Sequence, residues 1–550
     1  MLTRRRFLQT LGQGYVAAHF VPLFNREFQA HEKSMRCINV VNFIREIEPR
    51  FKMDMMLPVT SQMEIIRRHR LPATWLLQFD ALVSGPFVPY LRDQIPPNHE
   101  VGFWFEMNEK HCSAAGVEWR GRPGYPWDYY PSVAFTLGYT KDERVKLADA
   151  AMSEFKKIWG QHPSSVASWN LDSFTIEHLV DNYDVDAFAV CRDQIETDGF
   201  TIWGAPIAGY YPSRRNCWSP AVDKQNQINA PIFRMLGQDP VYYYQREFAI
   251  RGGQRLRAPD TMEPAWPSGQ DAKFVENFLD MMESAPSLEF AYAQLGQENT
   301  FPWDQQKSGY APQMEALAVL RDRGVVQVET MGDSGRRFKQ AFDQTPLQAQ
   351  IMLDDPFGNT DPACGTIWHQ SRSYRANLHL RGDLPYLRDL TIYSDRLAQP
   401  YLNEPARVND VEQRMPAIID GYHWSRSAQE PAGGYFISED SRLMLAGAPS
   451  VKEDSRSLEV DLPVVGGQTL RIRFTESRLS AEFSADFALS LEWDSSKSSL
   501  TKIEPKQLGY RWQGFEYHLV IISGKATSTV DGVQIHAVNG RIELAMTQRD

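Results

Sequence analysis

A chain of 550 residues with a formal net charge of −11 and 42% hydrophobic residues is too long for one ordinary core, because single cores stop growing at roughly 250–300 residues. Two domains are the minimum, and the well-mixed charges, with no long basic run, argue against a nucleic-acid partner or an anionic membrane surface. The five cysteines, Cys37, Cys112, Cys191, Cys217 and Cys364, are scattered and never spaced as C-x-x-C, which argues against a disulfide scaffold or a zinc knuckle.

The chain opens with Thr3-Arg4-Arg5-Arg6-Phe7-Leu8-Gln9 and a mildly apolar stretch from Leu8 to Phe24 that Gln9, Gln13 and His19 interrupt. This pattern predicts a twin-arginine export signal over residues 1–30, too short and too polar for a stable membrane span, and an exported, periplasmic or extracellular protein.

Between residues 36 and 350, eight short apolar runs recur at 37–43, 73–79, 100–105, 165–171, 186–191, 231–236, 288–295 and 325–328. Each ends in polar or charged residues: Asn42, Arg45 and Glu46; Gln78 and Asp80; Glu106; Asp172; Arg192 and Asp193; Arg234; Gln297, Glu298 and Asn299; and Glu329. Helical periodicity fills the gaps, most clearly over 140–160, where Leu147, Ala151, Phe155, Ile158 and Trp159 share a face, and again over 175–183, 272–285 and 310–323. Alternating strand and helix signals predict an α/β fold, a (β/α)7-8 barrel whose active site lies at the carboxyl ends of the strands. The Gly- and Pro-rich stretch 251–270 reads as an irregular excursion over that end.

After about residue 360 the period changes to two. Leu470, Ile472 and Phe474 alternate with Arg471 and Arg473, and Phe515, Tyr517 and Leu519 with Glu516 and His518. Ile542, Leu544 and Met546 continue the pattern, and Gly466-Gly467, Asp531-Gly532 and Asn539-Gly540 punctuate it. An antiparallel β-sandwich over 360–550 follows.

The stretch Asn98-His99-Glu100-Val101-Gly102-Phe103-Trp104, with 165–172 and Tyr183-Asp184-Val185-Asp186-Ala187, resembles the third strand and later elements of the polysaccharide-deacetylase barrel superfamily over roughly residues 37–205. The resemblance implies a barrel acting on carbohydrate. In that family a divalent metal is held by an aspartate of an Asp-Asp pair on the first strand and by two histidines. Here the first strand reads Val41-Asn42-Phe43-Ile44-Arg45, and Trp104 stands in the place of the first metal histidine. The expectation is therefore a site without metal or other cofactor.

Without a metal, cleavage of a sugar linkage falls to paired carboxylates, one donating a proton and one attacking or activating water. Glu298 is the leading candidate, with Asp172 or Glu106 as its partner. Asn42, Arg45, Gln78, Asp80, Arg192, Asp193 and Asn299 would hold the substrate, while Trp104, Trp119 and Trp127 wall the pocket. The aromatic stretch 119–130, with Arg122, suits saccharide binding by ring stacking and forked hydrogen bonds. Each carboxylate also has a plain structural use: Asp172 and Asp80 as helix caps, Glu106 as a partner of Lys110.

Arg45, Arg122, Arg192, Arg214 and Arg234 bring an acidic, sialic-acid-like sugar into view. Gly332-Asp333-Ser334-Gly335 looks like a serine nucleophile loop but lacks a histidine and aspartate framework, and reads as a helix start capped by Ser334 or Asp333. The leading reading is an exported glycoside hydrolase with a saccharide substrate. A deacetylase with an atypical metal site around His99 or His111, and a non-catalytic glycan binder, are the alternatives; a homo-oligomer is left open.

Overall fold

The computed structural model describes residues 28–29, 34–48, 52–191, 194–197, 200–202, 208–235, 250–251, 254–255, 261–353, 364–409, 411–413, 415–427 and 429–547. Within them, all eight apolar runs are strands of one sheet. They are β1 (Met35–Ile44), β2 (Thr74–Leu77), β3 (Glu100–Trp104), β4 (Ser165–Ala167) and β5 (Ala187–Val190), then β7 (Ile232–Arg234), β8 (Phe290–Leu295) and β9 (Gln327–Glu329). A short antiparallel strand, β6 (Gly209–Tyr210), was not marked by any apolar run. The sheet runs β8-β1-β2-β3-β4-β5-β7-β6 and, apart from β6, is parallel. Nine of the ten residues of β1 are buried, as a strand covered on both faces requires.

The eighth run does not close the ring in chain order. Phe290–Leu295 already pairs with β1, so β9 docks on the other edge of β1, with Glu329 opposite Asn39. This register places Glu329 in the lower half of the barrel, away from the carboxyl end where its position after a strand had suggested it. Between β6 and β8 the gap is filled by rings: Phe233 stacks on Tyr292 at 4.6 Å, and Phe290 lies edge-on to Phe338 at 5.0 Å.

Helix α1 (Lys141–Trp159) follows the predicted periodicity. Thr140 and Glu143 form a capping box, Leu147, Ala151 and Phe155 are buried, and Gly160 closes the helix in the left-handed conformation. Helix α2 (Ser173–Tyr183) is capped by Asp172. Helix α3 (Ala272–Ser284) matches its prediction, whereas α4 (Trp303–Asp322) starts at Trp303 rather than at residue 310, because Pro312 and the buried polar Gln306 and Gln313 obscure its apolar stripe. Helix α5 (Met331–Ala341) carries the Gly332-Asp333-Ser334-Gly335 sequence. Its cap is Thr330, not Ser334 or Asp333.

Helix α5 plugs the amino end of the barrel. Met331 N donates to Thr74 Oγ1 and Gly332 N to Glu100 Oε2, both at strand starts. A Cβ on Gly335 would collide with the Asp186 carbonyl, so only glycine allows this crossing.

The antiparallel part begins at Gln348–Met352, slightly inside the range expected for the barrel, and forms two sheets of ten and nine strands. In Gln468–Thr475 the residues Leu470, Ile472 and Phe474 are buried while Arg471 and Arg473 are exposed, as the alternation predicts. Asn539 and Gly540 both adopt positive φ, at 53° and 68°, as a tight hairpin turn needs. Residues 28–29, at the end of the expected signal segment, pair along the edge of the nine-stranded sheet. The Gln348 amide accepts from Ala208 N and donates to Gly209 O, so a side chain joins the sandwich to the open edge of the barrel.

Candidate active site

Three strand ends converge on one guanidinium. Arg45, just past β1, donates through Nε and Nη2 to Glu106 Oε2 at 3.1 and 2.8 Å, and through Nη1 to Glu298 Oε2 at 2.7 Å. Trp104 Nε1 donates to the same Glu106 oxygen at 2.8 Å. Period two along a strand puts Phe43 on the inward face with Arg45, and Trp104 with Glu106. Phe43 and Trp104 stack at 3.9 Å, Trp169 lies edge-on to both, and Trp127 comes down from its loop to within 4.3 Å of the guanidinium carbon. Burial alone would lower the Arg45 pKa; Glu106, Glu298 and Glu48 more than offset it and hold the side chain firmly charged.

Backbone clamps fix this geometry. Asn299 Oδ1 accepts from Arg45 N while its Nδ2 donates to Arg45 O, both at 2.9 Å. Asn42 Oδ1 accepts from Gln297 N and Tyr310 OH. Gly296, at φ 124°, sits where a Cβ would collide with the Val41 carbonyl, so the turn delivering Glu298 needs glycine. The segment expected over the mouth takes part, since Ala265 N donates to Gln297 Oε1 and Gln297 Nε2 donates to Glu263 Oε1.

Glu298, Glu106, Arg45, Trp104 and Trp127 thus meet in one place, and Gln78 joins them by donating from Nε2 to the Glu106 carbonyl. Phe43 and Trp169 complete the box and were not singled out in the sequence, although the parity of Phe43 with Arg45 marks it. Other expected residues are occupied elsewhere. Asp172 caps α2 through Thr175 N and Oγ1 and pairs with Arg144 at 3.0 Å, fully buried, so its structural use replaces its expected pairing with Glu298. Asn42 and Asn299 clamp backbone instead of sugar hydroxyls. Asp80 accepts from Ala81 N, and burial pushes its carboxyl up to about 7; it lies beside Glu46, which takes the Lys110 contact expected of Glu106.

The aromatic loop folds on itself. Arg122 makes a fork with Asp128 at 2.7 and 2.8 Å and lies over Tyr125, Tyr129 and Tyr130, while Trp119 Nε1 donates to Tyr125 O. Arg214 pairs with Glu177, and Arg234 donates to the carbonyls of Cys191 and Trp218. Arg45, Arg122, Arg214 and Arg234, four of the five arginines behind the acidic-sugar expectation, are thus paired with groups of the protein itself. Arg192 and Asp193 lie outside the described residues, as does the twin-arginine stretch.

A divalent ion, which the family resemblance brings with it, does not fit the residues of this centre. The place between the carboxylates is taken by a guanidinium, Trp104 Nε1 is a donor, and a second cation would press against a buried arginine. His99 lies at the start of β3, bonded to Trp75 Nε1 and Leu71 O, and His111 is buried against Leu147 O and Phe79; burial lowers both to about 4. Among the described residues no group of three or more His, Cys, Asp or Glu is placed to hold a metal.

No family model matches the sequence, and no curated protein matches it. The fold is similar to that of a Parabacteroides distasonis protein named for glycoside hydrolase/deacetylase activity, at 15% identity over 73% of this chain and 90% of that one, with a TM-score of 0.49. It is also similar to two proteins named for polysaccharide deacetylase activity. One is from Mycobacterium smegmatis, at 11% identity over 57% of this chain and 95% of that one, TM-score 0.34. The other is from Pseudomonas aeruginosa PAO1, at 12% identity over 56% and 92%, TM-score 0.33.

Proposed function

We propose that this chain is a carbohydrate-active hydrolase that cleaves a glycosidic bond at the carboxyl end of its barrel, with Glu298 and Glu106 as the paired carboxylates. The observation that carries the reading is that one guanidinium holds an oxygen of each. That bridge keeps the two oxygens within about 8 Å of one another, below the upper limit of roughly 9.5 Å for such pairs. Glu298 is the more open of the two, with 8% of its side chain exposed against 1% for Glu106. It is the carboxylate that attacks the anomeric carbon or activates water. Glu106 Oε2 already accepts three hydrogen bonds, which leaves Oε1 as the oxygen able to carry a proton to the leaving group. Trp104 and Trp127 are packed inside against Phe43 and Arg45; of the surrounding rings Phe43 and Trp169, 6% and 8% exposed, offer the apolar surface a sugar ring would meet.

Deacylation of an acetylated sugar is the second reading, favoured by the names of the similar structures. Export through the amino-terminal signal fits either substrate class; among the described residues no helix is long and apolar enough to cross a membrane. A panel of chromogenic glycosides and acetylated sugars, assayed with and without chelator, separates the two. Glycoside turnover indifferent to chelator and lost in Glu298→Gln supports the first reading; acetate release abolished by chelator replaces it with the second.

A further inference from the structure

We infer that a cleft at the amino end of the barrel is a second saccharide site, one that holds a neutral glycan chain without cleaving it. The cleft measures about 590 Å³, within the range of roughly 300–1,000 Å³ of small-molecule sites, and it lies at the end of the strands opposite Glu106 and Glu298. Three segments form most of its wall: 95–101, leading into β3; 159–164, between α1 and β4; and 328–336, running from β9 into α5.

What the cleft leaves free decides its ligand. Its charged groups are engaged within the protein. Glu100 accepts from Ser165 Oγ and Gly332 N, and Glu329 from the Cys37 thiol, with Arg337 at 3.2 Å. Asp333 accepts from Thr330 Oγ1 at 2.8 Å and from Arg336 at 2.6 Å, and the same arginine donates to Asp186 at 2.7 Å. His99 has both ring nitrogens bonded. An anionic ligand would therefore meet cations already paired with acids, and among the described residues no group is placed to hold a metal.

The remaining groups are neutral. Asn98, before β3, and Gln161, after α1, present exposed carboxamides, and neither side chain is hydrogen-bonded to another described residue. Beside them lie the partly exposed apolar side chains of Ile95, Val101, Trp159 and Val328. Carboxamides both donate and accept, as sugar hydroxyls require of a partner, and an apolar wall suits the C–H faces of a sugar ring. Chemistry in barrels of this kind belongs to the other end, so the cleft binds and does not cleave. Binding here does not depend on which reaction the mouth performs.

The test is affinity electrophoresis of the full-length protein through native gels carrying hydroxyethyl cellulose, xylan, galactomannan or laminarin. At least one polysaccharide is expected to slow the wild type, and to slow Glu298→Gln as well, since that substitution leaves the floor untouched. Asn98→Ala/Gln161→Ala changes two exposed positions and keeps the wild-type unfolding temperature. It is expected to lower the affinity for that polysaccharide about fivefold or more, the weight of two lost hydrogen bonds. Retardation by none of the four overturns the inference, as does retardation that Glu298→Gln abolishes or that the double variant leaves intact. Failure of the proposed cleavage at the mouth would alter none of these outcomes.

Discussion

At the carboxyl ends of the strands, Glu106 and Glu298 meet a full charge on a buried side chain; at the floor of the barrel, Glu100 is held by fixed or neutral donors and Glu329 by a thiol and an exposed arginine. Glu100 accepts from Ser165 Oγ and from Gly332 N at the start of helix α5. Glu329 accepts from the Cys37 thiol and pairs at 3.2 Å with a largely exposed Arg337. Burial pushes both floor carboxyls above their usual range, Arg337 and the hydrogen bonds offsetting only part of it. At the mouth, the carboxylates instead strengthen the charge of Arg45. Backbone amides cannot change partners without moving a helix, so the floor holds shape. A guanidinium shared by two side chains can release one of them to a substrate, which is the ground for proposing the mouth as the place of the chemistry.

The largest expected effect breaks that comparison if it fails. Glu298→Gln and Glu106→Gln are expected to lower turnover by about 10²- to 10⁴-fold, the usual weight of a proton-transfer group or nucleophile, whereas Glu100→Gln and Glu329→Gln leave turnover per folded molecule within about threefold of wild type. A floor variant that abolishes turnover while folded would reverse the assignment of the two ends. Next, Arg45→Met removes the guanidinium that bridges two buried carboxylates and is expected to cost about 3–5 kcal/mol in urea unfolding.

Asp172→Ala removes a helix cap and the partner of Arg144, with an expected loss of about 2–4 kcal/mol and unchanged turnover per folded molecule. A stable Asp172→Ala protein with lost turnover would return that residue to the site. The smallest effect concerns Asp80, whose carboxyl is pushed up to about 7 by burial. A raised carboxyl favours the folded state below its unfolded pKa of about 4 and loses that contribution as pH rises to about 7. Asp80→Asn is therefore expected to gain stability relative to wild type across that window, by about 1–3 kcal/mol, level above it, measured as unfolding temperature against pH.

Much of the site was legible because strand ends are local features. Arg45, Glu106 and Glu298 each follow an apolar run, and Trp104 precedes Glu106 by one strand period. What the residues could not reveal is competition for partners. Asp172 and Glu106 look alike in sequence, each an acid just past a strand. Arg144, nearly thirty residues before Asp172 in the chain, takes one of them, and Arg45 takes the other. Arg122 likewise looked available until Asp128 and three tyrosines enclosed it.

The order of strands and helices, the alternation of the sandwich and the grouping of acids after apolar runs were set by hydrophobic period and composition, which act within a few residues along the chain. Tertiary structure decided the rest. Register put Glu329 below and Glu298 above, four aromatic rings instead of a backbone ladder filled the gap in the barrel, and a single guanidinium selected two carboxylates from four. The physical reason is that pairing of buried charges depends on distances across the sheet, which only the folded register sets.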